Sequence, residues 1–482
     1  MKRRAFITLS ISAAALLLTG CGTNSNSGNG DSGTTDTSGE SGNNTAGSPL
    51  PVPELLRGTV RSGVRHFDLS IQEATHSFFP QKTTATYAIN STYLGPTLLL
   101  TDGEEVSINY TNRLPEATTM HGHGMHLPAN MDGGPHQIIT PGQTWSARYR
   151  VKQKACTNWY HPHLMGKTAE HVYKGLAGLI IVEESESSTL DLPDRYGIDD
   201  IPLVLQDRRF DANAQIDYSP TRMEIMRGYI GDTFITNGAI EPFVELEAKE
   251  IRFRILNGSN ASVYELGFSD NRTFAQIATD NALLEAPVDL ARVRLSPGER
   301  AEIVVDLTQA KGKTLQLRDF RKNKTFLELR VTKDAAVQTA LPQNLTTLEK
   351  FDPATAQTTR RFTLSGRMGT LMINGVTMDM NVINERVPLD QVEIWEVENS
   401  MGIEHNFHIH ATHFMIVERN GSSANIADNE KGYKDTIYLA PRDKVKLIVK
   451  MVDYKDPSSP YMYHCHFLEH EDAGMMGQFV TV

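Results

Sequence analysis

Residues 464–470 read HCHFLEH, and Met475 follows five positions later. A cysteine thiolate, a histidine imidazole and a weak axial thioether are three of the ligands of a blue-copper electron-transfer site, which needs one further histidine. His464 and His466 flank Cys465. In an extended strand neighbouring side chains point to opposite faces, whereas i and i+2 share one face. The pattern therefore predicts a blue copper at Cys465 and a second metal site on the other side of the same strand.

Histidine pairs with the same i, i+2 spacing recur elsewhere in the chain. Of the 16 histidines, nine lie in residues 66–171, seven in residues 405–470, and none in the middle third. The clusters are His121 with His123, His161 with His163, His405 with His408 and His410, and His464 with His466 and His470. Because each i, i+2 pair lies on one face of a strand, eight histidines from four strands can converge. His405 is an odd number of residues from His408, so it points to the opposite face of an extended strand.

Length and composition limit the possible classes of protein. A chain of 482 residues can form about two to four domains with stable cores. Its three cysteines are Cys21, Cys156 and Cys465, and since the first and last have other uses, we interpret Cys156 as a small buried hydrophobic residue. The net charge of −11, with acids and bases interspersed, argues against a nucleic-acid partner.

The first residues predict export. A basic start at residues 2–4 precedes an apolar run at residues 11–18, too short for an ordinary spanning helix, and Leu18 to Cys21 resembles a bacterial lipobox. We therefore predict a signal peptide over residues 1–21 and a periplasmic or cell-surface protein, anchored to the membrane by a lipid at Cys21. Arg3 and Arg4 resemble a twin-arginine signal, and a plain secretory signal remains the alternative. Residues 22–49, rich in Gly, Ser, Asn and Thr, predict a disordered tether.

The rest of the chain is predicted to be all-β. Short alternating stretches such as residues 106–110 and 251–255 are separated by Gly and Pro, without long helical periodicity. A weak repeat places a strand ending in asparagine at Asn112, Asn257 and Asn399, and the phrases Gly95–Thr97, Asn237–Gly238 and Asn374–Gly375 before those strands. We therefore predict three β-sandwich domains, at residues 50–187, 188–340 and 341–482.

The four histidine clusters resemble the motifs of the multicopper oxidase family, and the resemblance extends from about residue 50 to the end. The motifs are intact and in the family's order: His121-Gly122-His123-Gly124, His161-Pro162-His163, His405 to His410, and His464-Cys465-His466 with His470 and Met475. The resemblance implies three cupredoxin-like Greek-key domains. It also implies four copper ions, which pass electrons from a reductant to dioxygen and reduce it to water.

The resemblance also implies which copper each residue binds. The type 1 copper would take His405, Cys465 and His470, with Met475 axial. The type 2 copper would take His121 and His408. The type 3 pair would take His123, His161, His163, His410, His464 and His466. The middle domain would supply no ligand and act as a spacer and scaffold.

Acidic residues are the expected proton relays of such a reaction. Asp132 and Glu471 match acidic positions that serve so in bacterial members. The alternatives are a turn-forming aspartate and a solvated surface glutamate. His126, His136, His171 and His413 fit no ligand position, and Trp159 and Tyr160 are interpreted as packing residues.

The reductant is the least determined part of the prediction. The chain looks most like bacterial laccases and copper-efflux oxidases, but in place of a long methionine-rich insertion it has only Met368, Met372, Met378 and Met380. We interpret scattered methionines as core residues, which favours phenolic or other organic reductants and leaves cuprous ion as the alternative. Two further classes are a copper-free interaction protein of the same fold and a two-site nitrite reductase, and the intact ligand set and His466 argue against both.

Overall fold

The computed structural model describes residues 47–335, 340–367 and 369–482, and these residues form mainly short β-strands. The prediction of an all-β chain is confirmed. The predicted signal peptide, Cys21, the tether up to residue 46, and Met368 lie outside the described residues. Within the described ranges no helix has the length and apolar character to cross a membrane.

The first unit contains two five-stranded sheets. Its elements are β1 (Leu55–Leu56), β2 (Thr59–Arg61), β3 (Val64–His76), β4 (Thr84–Ile89), β5 (Thr97–Thr101), β6 (Glu105–Asn112), β7 (His121–His123), β8 (Thr144–Arg150), β9 (Cys156–His161), α1 (Thr168–Lys174) and β10 (Gly178–Glu183). One sheet has the order β1-β5-β10-β9-β7, and the other has β2-β3-β6-β8 with β4 paired to β3. Phe67, Ile108 and Tyr160 belong to the buried core of this unit.

The middle unit has a seven-stranded and a five-stranded sheet. Its elements are β11 (Asp200–Arg208), α2 (Arg222–Arg227), β12 (Thr233–Thr236), β13 (Ala239–Ile240), β14 (Phe243–Ala248), β15 (Glu250–Asn257), β16 (Tyr264–Phe268), β17 (Phe274–Ala278), β18 (Leu283–Leu290), β19 (Val293–Leu295), β20 (Arg300–Asp306), β21 (Thr314–Asp319) and β22 (Lys324–Asp334). The sheet orders are β13-β12-β11-β15-β20-β17-β18 and β14-β22-β21-β16-β19.

The third unit again has two five-stranded sheets. Its elements are β23 (Thr358–Arg367), β24 (Thr370–Ile373), β25 (Glu385–Val387), β26 (Val392–Asn399), β27 (His405–Ile409), β28 (Phe414–Arg419), β29 (Thr436–Leu439), β30 (Lys444–Lys450), β31 (Asp456–His464), α3 (Leu468–Asp472) and β32 (Met476–Thr481). The sheet orders are β24-β23-β26-β30-β28 and β25-β32-β31-β27-β29. Short 3-10 turns lie at residues 129–131, 187–189, 353–355, 423–425 and 428–430.

The predicted threefold repeat is visible in the backbone. Each unit pairs one strand with a parallel neighbour: β3 with β6, β11 with β15, and β23 with β26. The second strand of each pair ends at Asn112, Asn257 or Asn399, whose side-chain oxygen accepts a hydrogen bond from the amide two residues on, at 2.9, 3.1 and 3.0 Å. Asparagine makes this local bond readily, so the chain leaves the sheet in the same way three times.

The turn that precedes these strands in the repeat lies at a different position in the first unit than the sequence predicts. Asn90, Asn237 and Asn374 all have positive φ, at 54°, 51° and 53°. Their side-chain oxygens accept hydrogen bonds from the backbone amides of Ser70, Val204 and Thr363 at 2.7, 2.7 and 2.8 Å. The counterpart in the first unit is therefore Asn90, which lies upstream of the predicted Gly95–Thr97. Asn90 is hard to recognise from the sequence because Ser91 follows it, whereas glycine follows Asn237 and Asn374.

Backbone hydrogen bonds and apolar packing join the first part of the chain to the middle unit. Phe243 donates its backbone amide to Ser48 O at 2.9 Å, and Leu50 donates to Phe243 O at 2.7 Å. Ser48 and Pro49, the last residues of the predicted tether, therefore run beside β14 and are not free. A buried apolar cluster that includes Trp159, Leu179, Val204 and Ile235 packs β9 and β10 against β11 and β12.

Candidate metal centre

Strand pairing brings the four histidine motifs into register. His121 lies opposite His161 where β7 pairs with β9. His408 lies opposite His464 where β27 pairs with β31. The second histidine of each motif follows two residues after its partner, and all eight side chains are fully buried. The predicted convergence of eight histidines from the first and third units is thus confirmed.

One group consists of His163, His410 and His464. The Nε2 atom of His464 lies 3.1 Å from Nε2 of His163 and 3.2 Å from Nε2 of His410. On the outer side, His410 Nδ1 lies 2.7 Å from Asp132 Oδ2, and His464 Nδ1 lies 3.1 Å from the Cys465 carbonyl oxygen. His163 Nδ1 lies 3.3 Å from a Glu471 carboxyl oxygen without forming a hydrogen bond. A proton on Nδ1 leaves a lone pair on Nε2, so the Nε2 atoms that face one another are suited to bind a metal ion.

A second group consists of His123, His161 and His466. Nε2 of His161 lies 3.3 Å from Nδ1 of His123 and 3.5 Å from Nε2 of His466. His161 Nδ1 donates to the Pro162 carbonyl at 2.8 Å. His123 differs from the others, because its Nε2 is occupied by Asp435 Oδ1 at 2.9 Å and its Nδ1 faces the group.

His121 and His408 complete the cluster. Their Nδ1 atoms donate to the backbone carbonyls of Asp132 at 2.8 Å and Asp435 at 2.9 Å. Their Nε2 atoms are buried and have no hydrogen-bond partner among the described residues. Leaving a buried nitrogen unsatisfied costs about 1–3 kcal/mol, and coordination of a metal would remove that cost.

The remaining group lies at Cys465. Its Sγ is 3.4 Å from His405 Nδ1 and 3.5 Å from His470 Nδ1, and the two nitrogens are 3.1 Å apart. Such separations suit three ligands around one ion at distances of about 2.0–2.3 Å. Met475 is buried, and its carbonyl accepts the Cys465 amide at 3.1 Å. Burial raises the pKa of Cys465 to about 12, and a bound cation would reverse this, because coordinating thiols are deprotonated.

The two flanking histidines do face away from Cys465. His464 and His466 contact the cluster histidines, whereas Cys465 contacts His405 and His470. His405 and His408 are likewise separated, as their odd spacing predicts. The donor sets, imidazoles alone in one site and thiolate with imidazoles in the other, fit copper.

Burial controls protonation throughout the site. Desolvation lowers the pKa of His161, His163 and His466 well below the ordinary value, and neighbouring imidazoles lower it further. Desolvation also lowers the pKa of His470, to about 4. Neutral imidazole is the form that binds metal, and burial favours that form in these rings.

The outer side of the Cys465 group meets a methionine. Nε2 of His405 lies 3.2 Å from Met401 Sδ, and Met401 is half-buried. The partly exposed Met401 thioether therefore covers the outer side of the buried His405 ring.

Sequence reasoning missed three residues that support the cluster. Asp435 contacts both His123 and His408, Thr436 Oγ1 lies 3.1 Å from His408 Nδ1, and Arg300 pairs with Asp435. No spacing signal marks them, since a single Asp-Thr pair or a single arginine in a strand is common in any protein.

The other singled-out residues lie outside the donor groups. His126 contacts Asp453 at 2.9 Å, His136 contacts Gln478 at 2.8 Å, His171 contacts Thr118 at 3.1 Å, and His413 stacks on Tyr433. Trp159 stacks on His161 with ring centres 4.0 Å apart, and Cys156 is buried with a free thiol.

Comparison of sequences finds related proteins over most of the chain. Profiles described as multicopper oxidase match residues 70–187 and 341–482. The chain is 36% identical over 421 residues to multicopper oxidase mco of Staphylococcus haemolyticus, which covers 86% of this chain and 88% of that protein. It is also 34% identical over 450 residues to cell division protein FtsP of Yersinia pestis, covering 90% and 92%.

Comparison of structures gives a similar result. A laccase from Pediococcus acidilactici superposes with a TM-score of 0.84 at 33% identity, covering 90% of this chain and 94% of that one. A laccase-like multicopper oxidase, CueO, from Ochrobactrum sp. superposes with a TM-score of 0.82 at 36% identity, covering 90% and 100%. These similarities support the cupredoxin-like fold of the three units.

We expect the metal-free protein to lose stability as the pH falls below about 6.5. Burial lowers the pKa of His470 from 6.5 to about 4 in the folded state, so the unfolded chain takes up its proton first. This contribution is complete above pH 6.5 and falls toward pH 4, by at most about 1.4 kcal/mol per pH unit. Glu469, whose pKa burial raises to about 7, opposes the trend.

Denaturant unfolding of the apoprotein at several pH values between 4.5 and 7.5 measures this dependence. His470→Gln should show a shallower fall in unfolding free energy than the wild type, whereas His66→Gln, away from the donor groups, should not. Equal slopes for all three proteins would contradict the assignment.

Proposed function

Because the chain belongs to the multicopper oxidase family, we propose that it couples oxidation of a phenolic or other organic reductant to the reduction of dioxygen to water. Copper is its cofactor. The observation that carries this proposal is that buried side chains bring possible metal-ligand atoms within 4.8 Å of one another, among them those of His163, His410 and His464, and those of His405, Cys465 and His470. Bound copper ions would accept electrons singly from the reductant and together hold the four that dioxygen needs.

We assign the donor groups to individual coppers as follows. His405, Cys465, His470 and Met475 would hold the type 1 copper. His121 and His408, with their unpaired Nε2 atoms, would hold type 2 copper. The type 3 ions would each take three histidines: His123, His161 and His466 for one, and His163, His410 and His464 for the other. Cys465 is bonded through the backbone to a ligand of each type 3 ion, which makes it the shortest covalent link between the two sites.

Glu471 is the stronger candidate for a proton donor at the cluster. It is 1% exposed, so the alternative of a solvated surface glutamate is wrong. Burial raises its pKa well above the ordinary value, and Asp472 raises it further. We propose that Glu471, beside His163 and His464, supplies protons that the reduction of dioxygen consumes.

Asp132 has a different position. Its Oδ2 lies 2.7 Å from His410 Nδ1, and its backbone carbonyl accepts His121 Nδ1. It also caps the 3-10 turn at residues 129–131, so the turn-forming alternative and the proposed relay role are compatible. We propose that Asp132 orients both histidines and passes protons at this side of the cluster.

A specific observation favours cuprous ion as a second candidate reductant. Met372, Met378, Met380 and Asp379 line an open groove of about 840 Å³. Met378 donates its backbone amide to Gly474 O at 3.0 Å, directly before Met475. Met372, Met378 and Met380 are only partly buried and line this groove, which differs from the interpretation of them as core residues. Thioethers favour cuprous ion, and the groove lies beside the type 1 ligands.

An interaction role without copper remains the alternative from another class. The similarity to cell division protein FtsP keeps it open. A protein that binds no copper would not require ten buried histidines and Cys465 with their nitrogen and sulfur atoms clustered together. The preserved donor geometry supports the oxidase proposal.

We expect the copper-loaded protein to bind four coppers and to take up oxygen with a phenol or an aromatic diamine. Cys465→Ser should abolish the blue absorption and the oxygen uptake, because the thiolate ligand is lost. Cys156→Ser, at the other buried cysteine, should retain both. Full loading of the wild type without uptake from a phenol, a diamine or cuprous ion would overturn the oxidase proposal.

We expect Glu471→Gln to lower oxygen turnover by about 10²-fold or more, because the amide cannot deliver a proton. Copper content and blue absorption should stay at the wild-type level. Glu73→Gln, an exposed carboxylate of β3, is the control. Wild-type turnover in Glu471→Gln would remove the proposed proton role.

The groove is tested by the double substitution Met378→Leu with Met380→Leu. If cuprous ion binds there, its kcat/KM should fall about tenfold, a loss of about 1.4 kcal/mol, while phenol oxidation is unchanged. Met223→Leu, an exposed methionine of α2, serves as the control. A parallel loss for both reductants, or for neither, would count against a cuprous site in the groove.

A further inference from the structure

One side chain of the middle unit, Arg300, bonds to a residue that supports the metal centre. Arg300, at the start of β20, is 1% exposed. Its Nη1 and Nη2 donate to the two carboxylate oxygens of Asp435 at 2.9 and 2.6 Å. Its Nε donates to the Thr157 carbonyl at 2.9 Å, and Nη2 also contacts Asn158 Oδ1 at 2.6 Å. Arg300 therefore bonds to the first and third units at once.

Asp435 transmits this contact to two histidines of the cluster. Its Oδ1 accepts from His123 Nε2 at 2.9 Å, and its backbone carbonyl accepts from His408 Nδ1 at 2.9 Å. The first bond is why His123 presents Nδ1 to the cluster. The second fixes the His408 tautomer that leaves Nε2 free.

Asp435 is fully buried, and its carboxylate faces both the Arg300 guanidinium and the His123 ring. Asp280 accepts the backbone amide of Asp435 at 3.2 Å and pairs with Lys434 at 3.2 Å, so the loop is held on a second side by the middle unit.

The turn before Arg300 packs directly on the cluster. Gly298 has φ of +84°, and a Cβ there would lie 3.2 Å from ring atoms of His123 and His466. The Pro297 carbonyl accepts Asn406 Nδ2 at 2.8 Å, and Asn406 Oδ1 accepts the His466 amide at 2.6 Å. The middle unit thus packs directly on His123 and His466 and reaches His466 a second time through Asn406.

We infer that Arg300 is a positioning residue for the trinuclear copper cluster, acting through Asp435 on His123 and His408. The middle unit, predicted to be only a spacer and scaffold, then forms part of the metal site's support. This inference rests on the proposed ligand roles.

The physical consequence of losing Arg300 is specific to the cluster. Without Arg300 the buried Asp435 carboxylate would lack its cation, and the segment around Asp435 would shift away from His123. The His123 ring, having lost the acceptor of its Nε2, would then be free to rotate. Residues that orient metal-binding histidines typically contribute 10–100-fold to metal affinity. The Cys465 group has no member bonded to Asp435 among the described contacts, so its copper should be unaffected.

The test is copper binding by Arg300→Met in the full chain. Competition with a chelator should show the cluster coppers bound 10–100-fold more weakly than in the wild type, while blue absorption per chain is unchanged. Arg300→Lys, which keeps the charge but not the two-pronged donor, should be intermediate. It also carries the test if Arg300→Met fails to fold, as judged by circular dichroism of the apoprotein.

The matched control is Arg254→Met. Arg254 is a buried arginine of the same unit that pairs through two nitrogens with Asp200 at 2.8 Å. The Arg254→Met substitution should destabilise the apoprotein to a similar degree without weakening the binding of the cluster coppers. Wild-type cluster affinity in folded Arg300→Met and Arg300→Lys would overturn the inference, as would equal weakening in Arg254→Met. Failure of the wild type itself to load four coppers would instead count against the proposed function.

Discussion

Buried imidazole nitrogens that face each other across about 3.1–3.5 Å are the constraint on which this structure depends. Neutral imidazole offers a lone pair on one nitrogen and a proton on the other, so each ring needs an acceptor behind it and a cation in front. Asp132, Asp435 and backbone carbonyls are the acceptors that these rings contact. Without a metal the front side is unsatisfied, and folding alone must hold the rings there.

The sheets supply the required precision. Two motif strands lie side by side in the first unit and two in the third, with His121 opposite His161 and His408 opposite His464. Register in a sheet with one buried face is strongly specified, because a shift of one residue exposes every core side chain. The apolar cores on both sides of the cluster thus fix the donor atoms more firmly than loops could.

The three units share one backbone plan and have diverged in their side chains. The asparagines that end β6, β15 and β26 make the same local hydrogen bond in each. The middle unit has no histidine, yet its turn before β20 contacts two cluster ligands and Arg300 binds the aspartate behind them. A unit without ligands can therefore still determine ligand geometry, because buried charges must find partners wherever the packing puts them.

Several features of this protein follow from the sequence alone. Strand periodicity of two separates Cys465 from its flanking histidines and His405 from His408, and the spacing of four clusters predicts their convergence, because both depend only on local backbone geometry. The tertiary structure alone decides the rest. Asp435 and Arg300 meet 135 residues apart in the chain, Glu471 is buried rather than solvated, and Met378 lines a groove rather than a core. Single residues of these types carry no local signal, and their roles arise only when distant strands pack and water is excluded between them.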